Sequence, residues 1–493
     1  MQTKISENFS HTNEGQEAEQ ILRQCVHCGM CNATCPTYQL LGDELDGPRG
    51  RIYLIKQVLE GQQATQKTQT HLDRCLTCRS CETTCPSGVD YARLLEIGRD
   101  IVEKQVGRSW SQKLLRSALK NGLSNPRLFQ HALQWGRRLK PILPQQLQEK
   151  IPPASVLCQA PSNQYNRKVI LLEGCVQGSL APNINAATKR VLDRLQIQAI
   201  VASQAACCGA VRLHLSDEAG AKLAARQNID AWWPIIQQSS ETEQSDLAIV
   251  MTASGCGVTV KDYAILLAHD QAYAEKAKRI SALTVDLSEY LESLTTELIT
   301  LIGGEISQRL AWHSPCSLQH GQQVRGKVET ILRSLGVDVR SCENSHLCCG
   351  SAGTYSILQP ELAKQLRDNK ILALERTQAD VIVSANMACQ QHLQTGTKIP
   401  VKHWIEVIDL AMSNLPGEVY AQDRKKLAVE EIDAVVTQVE TVAPPTINSI
   451  PAIEIAKTNE VVADATHKAN PAKKKQTKKK SANTGKSKKA KTQ

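Results

Sequence analysis

Two hydrophobic rhythms divide this chain. From Lys168 onward, short apolar runs at Val169–Leu172, Ala199–Ala202 and Leu247–Met251 alternate with helix-spaced stretches at Asn185–Leu195 and Asp217–Trp233. The order then recurs: Leu310–Trp312, a helix near Val324–Leu335, Val337–Val339, a helix near Pro360–Leu374, and Val381–Val383. Brief apolar runs separated by crossover helices predict parallel sheets, so this half reads as two α/β units of one design. The units even close alike, on Val285-Asp-Leu-Ser-Glu289 and on Lys402-His-Trp-Ile-Glu406. Upstream the period is helical. Ile52, Leu54, Ile55, Val58 and Leu59 follow Pro48-Arg-Gly-Arg51, and Tyr91–Val106 sets Leu94, Leu95, Ile97 and Ile101 on one face. Lys104–Gln148 also reads as helical, with Trp110, Leu114, Leu115, Leu119, Phe129, Leu133 and Trp135 among basic residues, and Pro141–Pro161 reads as a proline-rich linker.

The predicted architecture is multi-domain. A helical module covers 18–103, a basic helical connector and linker 104–161, a first α/β unit 168–295, a second 308–412, and a low-complexity Lys-rich tail 413–493. At 493 residues the chain is long enough for each folded part to bury its own core. The last thirty residues hold too little apolar surface to offset the entropy of ordering them, so disorder is expected there.

Charge sharpens the division. The total of +9 includes eleven lysines without an acid in Ala465–Gln493 and nine Lys or Arg without an acid in Lys104–Gln148. With those cations set aside, the rest of the chain is net acidic. The connector reads first as a helical hairpin whose lysines are simply solvated; the sharper alternative is an interfacial surface for anionic lipid or an acidic partner. Met1–Gln20 lacks the apolar core of a signal peptide and no apolar stretch approaches eighteen residues, so a cytoplasmic chain that meets a membrane only peripherally is expected.

Cysteine placement supplies the chemistry. The pattern C-x2-C-x2-C-x3-C-P occurs at Cys25, Cys28, Cys31 and Cys35 and again at Cys75, Cys78, Cys81 and Cys85. Three thiolates two residues apart reach three irons of one [4Fe-4S] cube, while the fourth, followed by proline, turns to the other cluster. By that crossed scheme Cys25, Cys28 and Cys31 join Cys85, and Cys75, Cys78 and Cys81 join Cys35. Zinc sites pair C-x2-C knuckles or mix in histidine, and a disulfide scaffold would be short and cysteine-dense, so neither suits two identical runs. Thr34, Thr37, Thr77, Thr83, Gly29 and Gly88 supply small turn residues that let backbone amides approach the sulfurs.

A second thiol set follows the α/β repeat. Cys175, Cys207 and Cys208 recur 141 residues later as Cys316, Cys348 and Cys349, each pair followed by glycine, and each copy adds a later cysteine, Cys256 or Cys389. All follow predicted strands, where open parallel sheets gather ligands, so these eight read as metal or redox residues in preference to core packing. Cys158 and Cys342 lack counterparts and read as structural. His313, three residues before Cys316, reads as a hydrogen-bonded structural histidine, with a ligand or proton donor as the alternative. No GxGxxG opens either unit, and Gly174-Cys-Val-Gln-Gly178 has the wrong spacing for one, so no FAD is expected on this chain.

The first half, with HLDRCLTCRSCETTCPSGVDY from His71 and GPRGRIYLIK from Gly47, resembles the iron-sulfur subunit of bacterial glycolate oxidase (glycolate dehydrogenase). The second, with EGCVQ at Glu173, CCGA at Cys207, SGCG at Ser254, HSPCS at His313, CCGSAGTY at Cys348 and NMAC at Asn386, resembles that subunit's paired cysteine-rich CCG domains. Such domains are shared with heterodisulfide reductase and with the iron-sulfur subunit of anaerobic glycerol-3-phosphate dehydrogenase. The likeness covers about Ala18–Met412. It implies an oxidoreductase subunit with two [4Fe-4S] clusters that takes electrons from a flavoprotein partner oxidising glycolate to glyoxylate. It also implies delivery toward a membrane quinone-type acceptor on the cytoplasmic face of the inner membrane. Heterodisulfide reductase relatives end each cysteine-rich domain in C-x2-C; here Thr259 and His392 stand three residues after Cys256 and Cys389, which leaves a further cluster in these domains open. The competing readings are the equivalent subunit for glycerol 3-phosphate, lactate or another 2-hydroxy acid, a thiol/disulfide reductase, and an iron-sulfur scaffold whose tail binds nucleic acid.

Overall fold

The computed structural model describes residues 1–142, 161, 163–241, 247–302 and 306–413. Most of the expected linker, Cys158 and residues 414–493 therefore lie outside the described residues. All the described residues fall in one compact unit, Met1–Lys425.

The amino-terminal module is helical. Helix Pro48–Leu59 starts on Pro48 at a position that needs no N–H donor, and Gln66–Asp73 opens on a capping box between Thr65 and Thr68. Tyr91–Val106 is capped by Asp90, which accepts from the Arg93 N–H, and stops at Gly107 with φ of 67°. It buries Leu94, Leu95, Gly98 and Val102. Gly98 is required there because a Cβ would sit 2.6 Å from Ile55 of the facing helix.

Two parallel four-stranded sheets follow, in the order β2-β1-β3-β4 and β6-β5-β7-β8. The strands are β1 Arg167–Leu171, β2 Ile197–Ile200, β3 Ala248–Met251 and β4 Thr284–Asp286, then β5 Arg309–His313, β6 Asp338–Ser341, β7 Val381–Ser384 and β8 Val401–His403. The crossover helices Pro182–Arg194, Glu218–Glu241, Lys327–Ser334 and Pro360–Glu375 stand where the periodicity puts them, within a turn or two. The strand order reverses in each sheet between its first and third strands, so the loops after their carboxyl ends face one crevice. The shared closing strings are the short edge strands β4 and β8 with their helix caps. Asp286 accepts from Ser288 N–H while Glu289 accepts from Asp286 N–H, and in the second unit Glu406 accepts from His403 N–H at 2.8 Å.

One apolar core runs through both sheets, joining Val169, Leu171, Val191 and Leu291 of the first unit to Trp312, Ile331, Val383 and Trp404 of the second. Arg190 clasps Asp409 across the seam with two guanidinium nitrogens, and His403 Nε2 faces Thr252 O at 3.0 Å.

The connector forms two helices, Trp110–Ser124 and Pro126–Leu139, packed as a hairpin. Of its lysines Lys104 and Lys113 stay exposed as expected, whereas Lys120 turns inward, as do two of the arginines. Arg108 bridges Asp73 and Glu103, Arg116 also reaches Asp73, and Lys120 lies 3.4 Å from Asp217. These inward bases pair with the acidic body, because charges at a partly buried seam need partners.

Candidate metal centres

The two motif loops share one backbone conformation. His27 and Gly29 in the first, and Thr77 and Arg79 in the second, all take positive φ, between 51° and 86°. Three of these are not glycine, so each loop stores strain of about 1–2 kcal/mol per such residue. The left-handed residues turn amide N–H groups inward as a nest for anions. Thr77 N–H points at Cys75 Sγ from 3.4 Å. Gly29 is favoured in its loop because its φ of 86° is one that L side chains rarely adopt.

These loops sort the eight thiols into two sets. Cys25, Cys28, Cys31 and Cys85 line one small cavity, which Cys81 also touches, and the charges of Cys25, Cys28 and Cys85 are felt at Cys31. Cys35 stands with Cys75, Cys78 and Cys81, close enough for their charges to be felt at Cys78 and Cys81. Burial pushes the Cys31 thiol up to about 11, with Cys25 and Cys85 adding to it, and drives Cys78 and Cys81 well above the ordinary range. Such crowded, buried thiols ionise together only when a cation neutralises them. A donor set of eight soft sulfurs in two fours, cradled by amides, fits two [4Fe-4S] clusters.

Beside the second set lies a buried network that motif spacing does not reveal. Arg51 and Asp46 both have no exposed side-chain surface and stand 3.5 Å apart. Asp46 also takes Arg74 at 2.8 Å and His71 at 3.0 Å, and Arg51 donates to Thr37 Oγ1 and to His71 O. Thr37 Oγ1 in turn lies 3.3 Å from Cys35 Sγ, and Tyr91 OH reaches Cys75 Sγ at 3.6 Å. Burial opposes the charge on Arg51, but Cys75, Tyr91, Cys35 and Asp46 outweigh it and keep the guanidinium charged. The string Gly47-Pro-Arg-Gly-Arg51 carried the only signal of this cation, a charged residue on the apolar face of a helix.

At the sheet edges the repeat holds in three dimensions. In the first unit Cys175 contacts Cys207, Cys207 contacts Cys208, and Cys208 contacts Cys256. The second unit repeats the chain from Cys316 through Cys348 and Cys349 to Cys389, opening with a 3.7 Å sulfur contact. Gly209 and Gly350, at φ of 95° and 89°, each aim an N–H at the preceding Cys207 or Cys348 sulfur from 3.4 Å. Hydrogen bonds from Cys175 and Cys208, with the Gly209 N–H, pull Cys207 down, whereas Cys316, Cys348 and Cys349 are all pushed up. Thr259 and His392 point to the carbonyls of Gly255 and Ala363. Cys342 is buried in the second unit's outer core. His313 departs from expectation: it is 1% exposed, and neither ring nitrogen has a hydrogen-bond partner.

The helical module docks against both units. Arg79 pairs with Asp262 at 2.5 Å, Thr77 Oγ1 faces His214 Nδ1 at 3.3 Å, and Thr83 Oγ1 faces His320 Nδ1 at 2.9 Å. Leu76 enters an apolar cluster with Cys348, Tyr355 and Leu366, against which Cys78 and Cys316 also pack. A cavity of about 950 Å³ between the parts is lined by Cys78 and by cysteines of both units, including Cys207, Cys256, Cys316 and Cys389.

A dicluster thiol module joined to paired cysteine-bearing sheets defines an iron-sulfur electron carrier. Comparison agrees: the 4Fe-4S dicluster domain matches residues 21–89, and the Cysteine-rich domain (CCG) matches 169–261 and 310–394. The glycolate oxidase iron-sulfur subunit of Escherichia coli (strain K12) is 52% identical over 84% of this chain and 99% of its own length. The probable glycolate oxidase iron-sulfur subunit of Bacillus subtilis (strain 168) is 29% identical over 76% and 89%. Lactate utilization protein A of Geobacillus thermodenitrificans (strain NG80-2) is 27% identical over 49% of this chain and 98% of its own length. The chain belongs to the family of glycolate oxidase iron-sulfur subunits.

Proposed function

We propose that this chain is the electron-transfer subunit of a glycolate-oxidising complex, with Cys25, Cys28, Cys31 and Cys85 holding one cluster and Cys35, Cys75, Cys78 and Cys81 the other. When bound, a [4Fe-4S] cluster takes up and releases one electron at a time. The observation that carries the reading is the run of thiols from exposed Cys28 to Cys78, and from there into the apolar cluster that also packs Cys316 and Cys348. Arg51 places a buried positive charge beside Cys35 and Cys75, which favours the more negative, reduced state of that site. The similar chains are named as iron-sulfur subunits, which favours assigning glycolate oxidation to glyoxylate to a flavoprotein partner. Identity of 52% across nearly a whole glycolate oxidase subunit, against 27% across half this chain for the lactate utilization protein, favours glycolate over other 2-hydroxy acids.

The onward acceptor is a membrane quinone, and attachment is peripheral, at the cytoplasmic face of the inner membrane. Among the described residues no helix is long and apolar enough to cross a membrane. The hairpin Trp110–Leu139 supports peripheral attachment, since Trp110, Leu114, Leu128, Trp135 and Leu139 are exposed beside Lys113, Arg127 and Arg138, with no acid among them.

The test is anaerobic copurification with the flavoprotein and addition of glycolate. Paramagnetic signals of two reduced clusters should appear; signals raised by lactate or glycerol 3-phosphate but not glycolate would overturn the substrate. Cys85→Ser should remove the same signal as Cys28→Ser although it lies in the other motif, and removal of the other signal would overturn the crossed assignment. Sedimentation with anionic vesicles should fall on W135S/L139S, whereas unchanged sedimentation would remove the hairpin from the attachment.

A further inference from the structure

The two sheet units repeat their cysteines but not their surroundings. His313 ends β5 and is 1% exposed. Counting back along the 141-residue repeat gives Leu172, which belongs with Cys208 to one buried apolar cluster of the first unit. An imidazole thus replaces an alkyl group at one of two otherwise matched positions. Both its nitrogens lack hydrogen-bond partners in a fully buried place, so their desolvation goes uncompensated. Native interiors rarely leave such a group without a bond to something.

The neighbours of that ring are thiols. An imidazole nitrogen of His313, Cys349 Sγ and Cys389 Sγ all lie within 4.8 Å of one another, and all three residues are buried. Two donors of one tetrahedral zinc-class ion, with bonds of about 2.0–2.3 Å, stand roughly 3.3–3.8 Å apart. The three atoms therefore lie within about an ångström of the spacing that one ion would draw them to. Cys348, in contact with Cys349, is the next donor. Lys370, 3% exposed and donating to Asn344 O at 2.7 Å, supplies a buried positive charge near His313 and Cys389 that offsets the charge of ligating thiolates.

We propose that the second unit holds one zinc-class divalent ion with His313 as its nitrogen ligand beside the thiolates of Cys349 and Cys389, whereas the first unit, with Leu172 in that place, offers sulfur donors alone. Binding exchanges the two thiol protons for one ion, and no electron moves. The assignment stands independently of the electron-transfer reading.

The full chain, purified anaerobically in zinc-containing medium, is tested by metal analysis and by X-ray absorption at the zinc edge. One zinc with mixed nitrogen and sulfur ligands is expected. His313→Leu, which installs the first unit's own residue, should lose about one equivalent of zinc while the iron and sulfide of the amino-terminal module stay unchanged. In the metal-stripped protein, cobalt(II) should give a tetrahedral ligand-field spectrum that His313→Leu abolishes. An all-sulfur zinc shell in the unaltered protein, iron and sulfide bound by the second unit's cysteines, or full zinc retention in folded His313→Leu would each overturn the proposal. The unaltered protein's own edge spectrum decides the matter should the variant not fold.

Discussion

Asp46 has no exposed side-chain surface and faces Arg51, Arg74 and His71. Removing its charge leaves Arg51 buried without its carboxylate, and breaking such a pair from one side costs about 3–5 kcal/mol. Asp46→Asn is therefore expected to lower the denaturation midpoint sharply under anaerobic conditions, and a midpoint equal to that of the unaltered chain would remove the network from the list of stabilising features. The paired glycines allow a finer comparison. Alanine in the left-handed region costs about 1–2 kcal/mol at either site. At Gly350, however, the new Cβ would stand 2.5 Å from Ala363 O, against 3.3 Å from Ala221 O at Gly209. Gly350→Ala should thus destabilise more than Gly209→Ala in parallel melts, and equal losses would contradict the packing. The cysteines proposed as ligands stood out because their spacing is itself the chemistry. Arg51 was not, because a charge on an apolar helix face has no spacing rule and takes its meaning from residues that fold around it.

Among elements, the long strands and crossover helices were legible from periodicity, whereas β4 and β8, three residues each, are too short to show a period. They surfaced only as matching strings. Their caps carry a pH dependence. His403 closes β8 with Nε2 donating to Thr252 O while Nδ1 accepts from Ile405 N–H at 3.3 Å, a pairing that only the neutral ring can make. Burial holds this imidazole down to about 3, with the Thr252 and Ala385 carbonyls opposing it, and holds His320, at the docking seam, to about 4. As pH falls below roughly 6.5 the unfolded chain takes up protons that the folded chain refuses, so these groups make stability fall with acidification. Glu82, raised to about 7 by burial, acts with the opposite sign, binding a proton in the folded state that the unfolded state has lost. Comparing denaturation midpoints at pH 7 and pH 5 in His403→Gln and in the unaltered protein isolates the imidazole. The drop should be smaller in the variant; an identical drop would show that His403 does not titrate on unfolding.

Over the whole molecule, the shared core makes the two cysteine-rich units one cooperative body despite their internal repeat. Calorimetry of the full chain should show both melting in a single transition, and two resolved transitions for them would mean that the common core contributes little. This level of organisation was the least visible in advance. The repeat announced two similar units, but their fusion depends on Trp312, Trp404 and Leu291 meeting across a seam, and the docking of Leu76 among Tyr355 and Leu366 joins residues nearly three hundred positions apart.

The unequal exposure of the motif cysteines has a practical outcome. Cys28 is open to solvent, whereas Cys35 and Cys81 are buried and Cys78 is pressed against the second sheet unit. With the proposed clusters bound, chelators and peroxide would reach the Cys28 side first, and iron should be lost in two stages, that held by Cys35, Cys75, Cys78 and Cys81 last. A protein caught halfway would keep its interior metal while having lost its outer contact for incoming electrons.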